Sequence, residues 1–206
     1  MWISVPTPTQ VCVASVRGAS VNTAVTSLID QCWDVEIVFL SSVDRGWGVT
    51  SAYVDPGSLG VDRFAAMVGA QAGYEGAKVI VDCGTAVTVD VLAADGRHMG
   101  GVILPGTELM RSVLFRRTDK IPPGAGLRSD ILANNTSSAV VSGTILAVTG
   151  AIESVVENAR ARLGADCRVL ITGGGAAEVA SALRMPVCHD DDLVLRGIAL
   201  MGGAPQ

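Results

Sequence analysis

Val79-Ile-Val-Asp-Cys-Gly-Thr-Ala-Val-Thr88 decides the fold. The stretch opens as a β-branched run, ends in an acid, turns through Gly84 and Thr85, and returns as a second β-branched run. Two short strands therefore meet at a turn whose glycine lets backbone approach an anion. Thr85 and Thr88 offer hydroxyls, and Asp82 at the strand end can hold a cation or order its waters. Taken alone, the stretch reads equally as a phosphate cradle or as a polar hairpin turn.

Downstream, Met99 to Leu104 continues the pattern as a third strand after the turn Ala94-Asp95-Gly96, so Lys78 onward begins with a β-meander. After Pro105-Gly106 the spacing predicts a helix to about Phe115, then a Pro- and Gly-rich loop. A long helix from about Ser137 to Leu163 follows, whose Gly143 and Gly150 are expected to permit close packing. Arg168 to Thr172 reads as a strand, Ala176 to Leu183 as a helix, Met185 to Cys188 as an edge strand and Leu193 to Met201 as a last helix. The order is read as βββαβαβα with one additional helix after the meander. Upstream, a strand at Val11 to Val16, a helix at Asn22 to Gln31 and a strand at Val35 to Leu40 give βαβ grammar. A loop from Ser41 to Gly60 and a helix from Asp62 to Ala72 complete the first part. The fold class is α/β, with two lobes expected at residues 1–77 and 78–206. If the lobes are duplicates, the first lacks a meander and a helix, about 40 residues at average element lengths.

Two further constellations carry chemistry. In Tyr53-Val-Asp-Pro-Gly-Ser-Leu-Gly-Val-Asp-Arg63 an acid and a base stand side by side where a glycine turn enters a helix, and Asp62 is favoured by the helix N-terminus. On the residues alone the plainer reading wins: Asp62 caps the helix and Arg63 pairs with a surface carboxylate. Thr172-Gly173-Gly174-Gly175 runs from a strand into a helix through glycines, a feature of nucleotide sites and of many other α/β turns.

Composition narrows the class. The chain has 206 residues, 49% of them hydrophobic, enough for a sizeable core. Net charge is −5, and the basic residues form no run longer than Arg116-Arg117, which argues against a nucleic-acid partner. The five cysteines have no Cys-x-x-Cys spacing, which fits a reducing cytoplasm rather than a disulfide framework. Met1 to Gln10 lacks the halves of a signal peptide, and the longest apolar stretch, Ala139 to Ile152, is interrupted by Ser142, Gly143 and Gly150, so no membrane span is expected. His98 and His189 are read as surface or turn residues, Cys83 as a small apolar filler, Asp190 to Asp192 as a helix cap, and Leu109, Val113 and Leu114 as core.

Taken together and in this order, Tyr53 to Arg63, Asp82-Cys-Gly-Thr-Ala-Val-Thr88 with Asp90, Gly100-Gly-Val-Ile-Leu-Pro-Gly106, Asn135-Thr136 with Gly143, and Thr172-Gly-Gly174 resemble the type III pantothenate kinase family and its accessory-factor relatives in virulence regulation. The resemblance implies the actin-like ATPase (ribonuclease H-like) fold and ATP-dependent phosphorylation of pantothenate at the start of coenzyme A biosynthesis. It also implies Mg²⁺ with ATP, a monovalent cation (K⁺ or NH₄⁺) and a homodimer. By the same resemblance Asp62 matches the general base. Tyr53, Gly60, Val61, Asp62 and Arg63 match the pantothenate site, with Thr136 contributed by the neighbouring subunit. Gly84, Thr85, Thr88, Gly173 and Gly174 match nucleotide contacts, and Asp82 the monovalent-cation ligand.

The family's first phosphate loop, Asp-x-Gly-Asn-Thr at a strand end, has no counterpart here, since Thr7 to Gln10 lacks the acid and the glycine. Two readings follow: a kinase whose working form has more N-terminal sequence, and a non-catalytic, accessory-factor-like relative that binds a ligand or a partner. These 206 residues alone are expected to show little or no pantothenate phosphorylation, because half the triphosphate clamp is absent.

Overall fold

The computed structural model describes residues 6–117 and 131–203. Its contacts divide the chain into two compact units, one made of residues up to Tyr74 together with those from Leu193 on, the other of Glu75–Asp192.

In the first unit β1 (Gln10–Val13), α1 (Ala19–Cys32) and β2 (Glu36–Phe39) form the expected βαβ, with β1 and β2 parallel and Val13 opposite Phe39. The run from Val11 leaves the ladder after Val13, three residues earlier than its β-branched pattern suggests. The segment expected as plain loop holds a short antiparallel pair, β3 (Arg45–Gly46) and β4 (Val49–Thr50), and a 3₁₀ turn at Pro56–Ser58. Asp55 starts that turn by accepting the Gly57 N–H at 3.1 Å, with proline next in line, where its missing N–H costs nothing. Helix α2 (Val61–Gly73) follows and buries Phe64, Met67 and Val68. Trp47 meets Phe64 edge-on, with ring centroids 6.2 Å apart.

The second unit opens with the expected meander, β5 (Lys78–Cys83), β6 (Ala86–Leu92) and β7 (His98–Pro105). It continues through α3 (Thr107–Arg117), α4 (Thr136–Leu163), β8 (Arg168–Thr172), α5 (Ala176–Ala180) and β9 (Cys188–His189). The Pro- and Gly-rich loop between α3 and α4 lies mostly outside the described residues. The sheet order is β7-β6-β5-β8-β9, antiparallel through the meander and parallel from β5 to β8 and β8 to β9. One face carries Val79, Val81, Val87, Val89, Val169 and Ile171 against Val148, Ile152 and Val156 of α4. Each such side chain contributes about 1.5–3 kcal/mol on burial. By length and composition α4 could cross a bilayer; here its apolar stripe is the roof of this core.

Several expectations change. Helix α5 ends at Ala180 rather than Leu183, and β9 begins at Cys188 rather than Met185, because Pro186 has no N–H to give a ladder and restrains the residue before it. His98 is no surface residue: it is buried, with Nε2 3.0 Å from Asp90 Oδ1 across the β6–β7 hairpin. Leu109, Val113 and Leu114 are not core but stand exposed on α3. Added methyls at Gly143 and Gly150 would meet open space, so neither glycine makes the close contact expected of it.

The last helix, α6 (Leu193–Met201), was expected to close the second lobe and instead packs on α2. Its Gly197 lies directly against the Ala65 carbonyl, and Gly69 of α2 lies against the Leu193 carbonyl. Two backbones approach where side chains are absent, which fixes the helix pair face to face. Gly197→Ala is therefore expected to destabilise the protein by about 3 kcal/mol, since the methyl would run into backbone rather than a movable side chain. Urea unfolding checks this, with Gly150→Ala, open to solvent space, as the near-neutral control.

Candidate functional site

The candidate residues fall into two groups, one in each unit. In the second unit the turn at Cys83–Thr85 is gripped from two sides by backbone. Gly106, at the entry to α3, donates its N–H to the Thr85 carbonyl at 2.9 Å, and a methyl there would lie 2.5 Å from the Gly84 carbonyl oxygen. From the other side Gly175 donates to the Cys83 carbonyl at 2.9 Å. Gly173, at φ +91°, leaves room for the Asp82 carboxylate, whose Oδ1 would be 2.5 Å from any added methyl. Only glycine combines that dihedral with that approach. The register then places Asp82 between Thr88 on β6 and Thr172 on β8, three oxygen-bearing side chains in one row at the end of the parallel strands.

This arrangement leaves Gly84, Thr85 and Gly174 exposed at the rim, while Asp82, Thr88 and Gly173 are half-buried behind them. The structure brings together every residue of the sequence-predicted nucleotide and cation set in this unit. Cys83 is the filler expected: burial, helped by the charge of Asp82, pushes its thiol up to about 12, so it carries no thiolate at neutral pH. Thr172 was quoted only as part of a glycine motif; its register opposite Asp82 is what marks it.

In the first unit α2 starts at Val61 with Gly60 as its cap residue. The Asp62 carboxylate folds back over Gly60, with Oδ1 accepting the Arg63 N–H at 2.8 Å, and a methyl at Gly60 would sit 2.5 Å from that oxygen. Asp62 is thus tied to its own helix turn but remains half-buried rather than sealed. Arg63 is not the surface residue expected. Its side chain is buried, donates from Nη1 to the Tyr53 hydroxyl at 2.9 Å, and stacks its guanidinium 5.6 Å from the Tyr53 ring centre. At the start of α2 a groove of about 310 Å³ is lined by Ser15, Val16, Ser41, Ser42, Gly60 and Val61, among others. The three serines escaped the sequence reading because nothing in their local pattern separates a βα-loop serine from any other turn serine; their shared position at the carboxyl ends of β1 and β2 is the missing signal.

Thr136 is the first residue of α4, exposed, behind an Asn135 cap whose side chain accepts the Ser138 N–H at 2.9 Å. It lines an apolar groove of about 680 Å³ with Pro105, Leu109, Val113, Leu114 and Gly143.

A meander lobe that presents a glycine-threonine turn between two further glycine turns has the actin-like ATPase fold. Solved structures agree. A Campylobacter jejuni protein named for the Baf family of transcriptional activators superposes with TM-score 0.65 at 19% identity, over 97% of this chain and 84% of its own. A Sinorhizobium meliloti protein named as a 2-dehydro-3-deoxygalactonokinase gives 0.52 at 19% identity, over 84% and 67%. Within that fold the chain belongs to the type III pantothenate kinase family, whose model matches residues 3–158. It is 36% identical over 191 residues to the type III pantothenate kinase of Halorhodospira halophila, covering 93% of this chain and 75% of that one. To that of Aromatoleum aromaticum it is 38% identical over 187 residues, covering 91% and 76%.

The backbone grip on the turn is testable without any ligand. Gly106→Ala and Gly173→Ala are each expected to cost about 2–3 kcal/mol in denaturant unfolding, since neither methyl has a flexible neighbour to displace at the carbonyls it meets. Gly174→Ala, whose methyl meets nothing within 4 Å, is expected to stay within about 0.5 kcal/mol.

Proposed function

We propose that this chain phosphorylates pantothenate with ATP to give 4'-phosphopantothenate, the first step of coenzyme A biosynthesis, as a soluble cytoplasmic enzyme. Family membership supports the activity. The observation that carries the site assignment is the start of α2, where the Asp62 carboxylate is held by the Arg63 N–H, the buried Arg63 side chain is paired with the Tyr53 phenol, and Gly60 and Val61 line the serine-bearing groove.

In this reading Asp62 accepts the proton of the primary hydroxyl of pantothenate as that oxygen forms its bond to the γ-phosphorus and the bond to the ADP oxygen breaks. The aspartate is suited to it because its carboxylate is oriented by the Arg63 backbone N–H and is half-buried rather than sealed. Arg63 holds the substrate carboxylate through its guanidinium, and the Tyr53 ring covers the dimethyl carbon. Gly60 and Val61 form the wall, and Ser15, Ser41 and Ser42 supply hydroxyls for the amide and hydroxyl groups of the substrate.

On the nucleotide side Gly84, Thr85 and Thr88, with Gly173 and Gly174, take the phosphates of ATP through backbone N–H groups and hydroxyls. The donor set around Asp82, a carboxylate with the hydroxyls of Thr88 and Thr172 in register, is all oxygen and fits a hard cation. A potassium or ammonium ion there would offset phosphate charge, as would the Mg²⁺ that accompanies ATP.

Asp62→Asn is expected to lower kcat by about a hundredfold or more, the range for a lost general base, while stability moves by less than about 0.5 kcal/mol because an amide oxygen accepts the Arg63 N–H as the carboxylate does. Coupled ADP-release kinetics and thermal unfolding on the same samples check it; normal turnover would return Asp62 to a purely structural role. The non-catalytic relative remains the other possibility for the family fold, and it is the result if the wild-type protein binds nucleotide and forms no phosphopantothenate.

The working form is a homodimer in this reading, with Thr136 completing the partner's pantothenate site. Support comes from the exposed apolar residues Leu109, Val113 and Leu114 of α3, which border the groove that contains Thr136, and from Leu146 exposed on α4. Light scattering at micromolar concentration is expected to give twice the chain mass, and Val113→Asp to give the monomer; a monomeric wild type would remove the assigned role of Thr136.

A further inference from the structure

We propose that Glu178 is a positioning residue for the nucleotide, a clasp that sets the spacing between the Gly84-Thr85 turn and the Gly173-Gly174 turn. The inference rests on the nucleotide reading of those two turns.

Glu178 stands in the first turn of α5, three residues beyond Gly175. Both of its carboxylate oxygens are engaged by α3. Oε1 accepts from Arg111 Nη2 at 2.8 Å, and Oε2 accepts from the Thr107 hydroxyl at 3.1 Å. Thr107 is buried and directly follows Gly106, the glycine that grips the Gly84-Thr85 turn. Arg111 is in turn anchored: its Nε donates to Thr144 Oγ1 at 3.1 Å, and that buried hydroxyl donates to the Val141 carbonyl of α4 at 2.9 Å. One carboxylate therefore joins the start of α3, the start of α5 and the core helix α4.

The physical need for such a tie follows from the turns themselves. Their mutual contacts are single backbone hydrogen bonds and glycine approaches, and glycine gives a backbone little resistance to change. Helix α5 has five residues, too few to hold its own geometry without tertiary partners. A charge-assisted pair with the arginine side chain largely covered is the strong kind of hydrogen bond, and it supplies the rigidity from outside the turns. The pairing has an electrostatic consequence as well. A free carboxylate next to the Gly173-Gly174 turn would repel phosphate, and the Arg111 guanidinium cancels that charge locally.

Glu178→Gln keeps the shape and removes the charge. It is expected to raise the KM for ATP about fivefold while kcat and the KM for pantothenate stay within about twofold. Arg111→Met in the Glu178→Gln background is expected to add no more than about twofold, since both changes break one interaction. A merely structural role would raise both KM values or neither. Thr107→Val, which removes a single arm of the clasp, reads the same ATP-selective effect at smaller amplitude should Glu178→Gln not fold. Calorimetric titration with ADP runs alongside. A wild type that binds ADP and makes phosphopantothenate, with folded Glu178 and Thr107 variants unchanged in ATP KM, overturns the clasp alone. A wild type that binds ADP without turnover removes the kinase reading, and weaker ADP binding by Glu178→Gln would still support the clasp. A wild type that binds no ADP overturns both.

Discussion

Backbone-to-backbone approach at glycine holds the second unit's site together. The Cys83–Thr85 turn is trapped between Gly106 on one side and Gly173 and Gly175 on the other, with carbonyls of the turn as the contacted atoms. Carbonyls cannot rotate away as side chains do, so these contacts fix where β5, α3 and α5 meet. The parallel register of β5 with β8 follows, and with it the row of Asp82, Thr88 and Thr172. A phosphate site needs bare N–H groups at a place where no Cβ intrudes, and the same absence of Cβ atoms lets the three turns close on each other.

The first unit solves a different problem with a different device. Asp62 and Arg63 are neighbours in sequence, yet the helix start sends them to different environments: the acid folds back over Gly60, and the base is buried under Tyr53. Among the contacts of this buried guanidinium, a phenol accepts one of its bonds and the aromatic face lies against its charge. Burial restrains a long flexible side chain before substrate arrives, which lowers the entropy lost on binding. The α2–α6 pair beneath it is another glycine contact, so the last helix of the chain belongs with the first unit.

The two surfaces of α3 and α4 show how one helix pair serves two ends. Thr107 and Arg111 turn inward to Glu178 and Thr144, whereas Leu109, Val113 and Leu114 face an apolar groove with Thr136 and Gly143. The low mean hydropathy of α3 fits a helix that is not a core element, despite its apolar stripe. His98 makes the converse point. A histidine at a hairpin, read as a surface residue, is buried because Asp90 lies across the β6–β7 ladder to accept its hydrogen bond.

By itself the sequence determined what is local: the three-strand meander after Lys78 with its two helices and the strand-helix alternation that follows, the glycine turns at 83–85 and 173–175, the helix start at 60–63 and the residue types that suit phosphate and carboxylate. Period and turn chemistry act over a few residues and leave their mark in the order of amino acids. Only the tertiary structure decided which faces are covered and which distant groups meet. It put His98 inside and Leu114 outside, moved α6 to the first unit, gathered Ser15, Ser41 and Ser42 on one groove, and joined Glu178 to Thr107 across 71 residues of chain. Burial and pairing at such separations depend on how the sheet registers and where glycine lets backbones close, and no run of neighbouring residues carries that information.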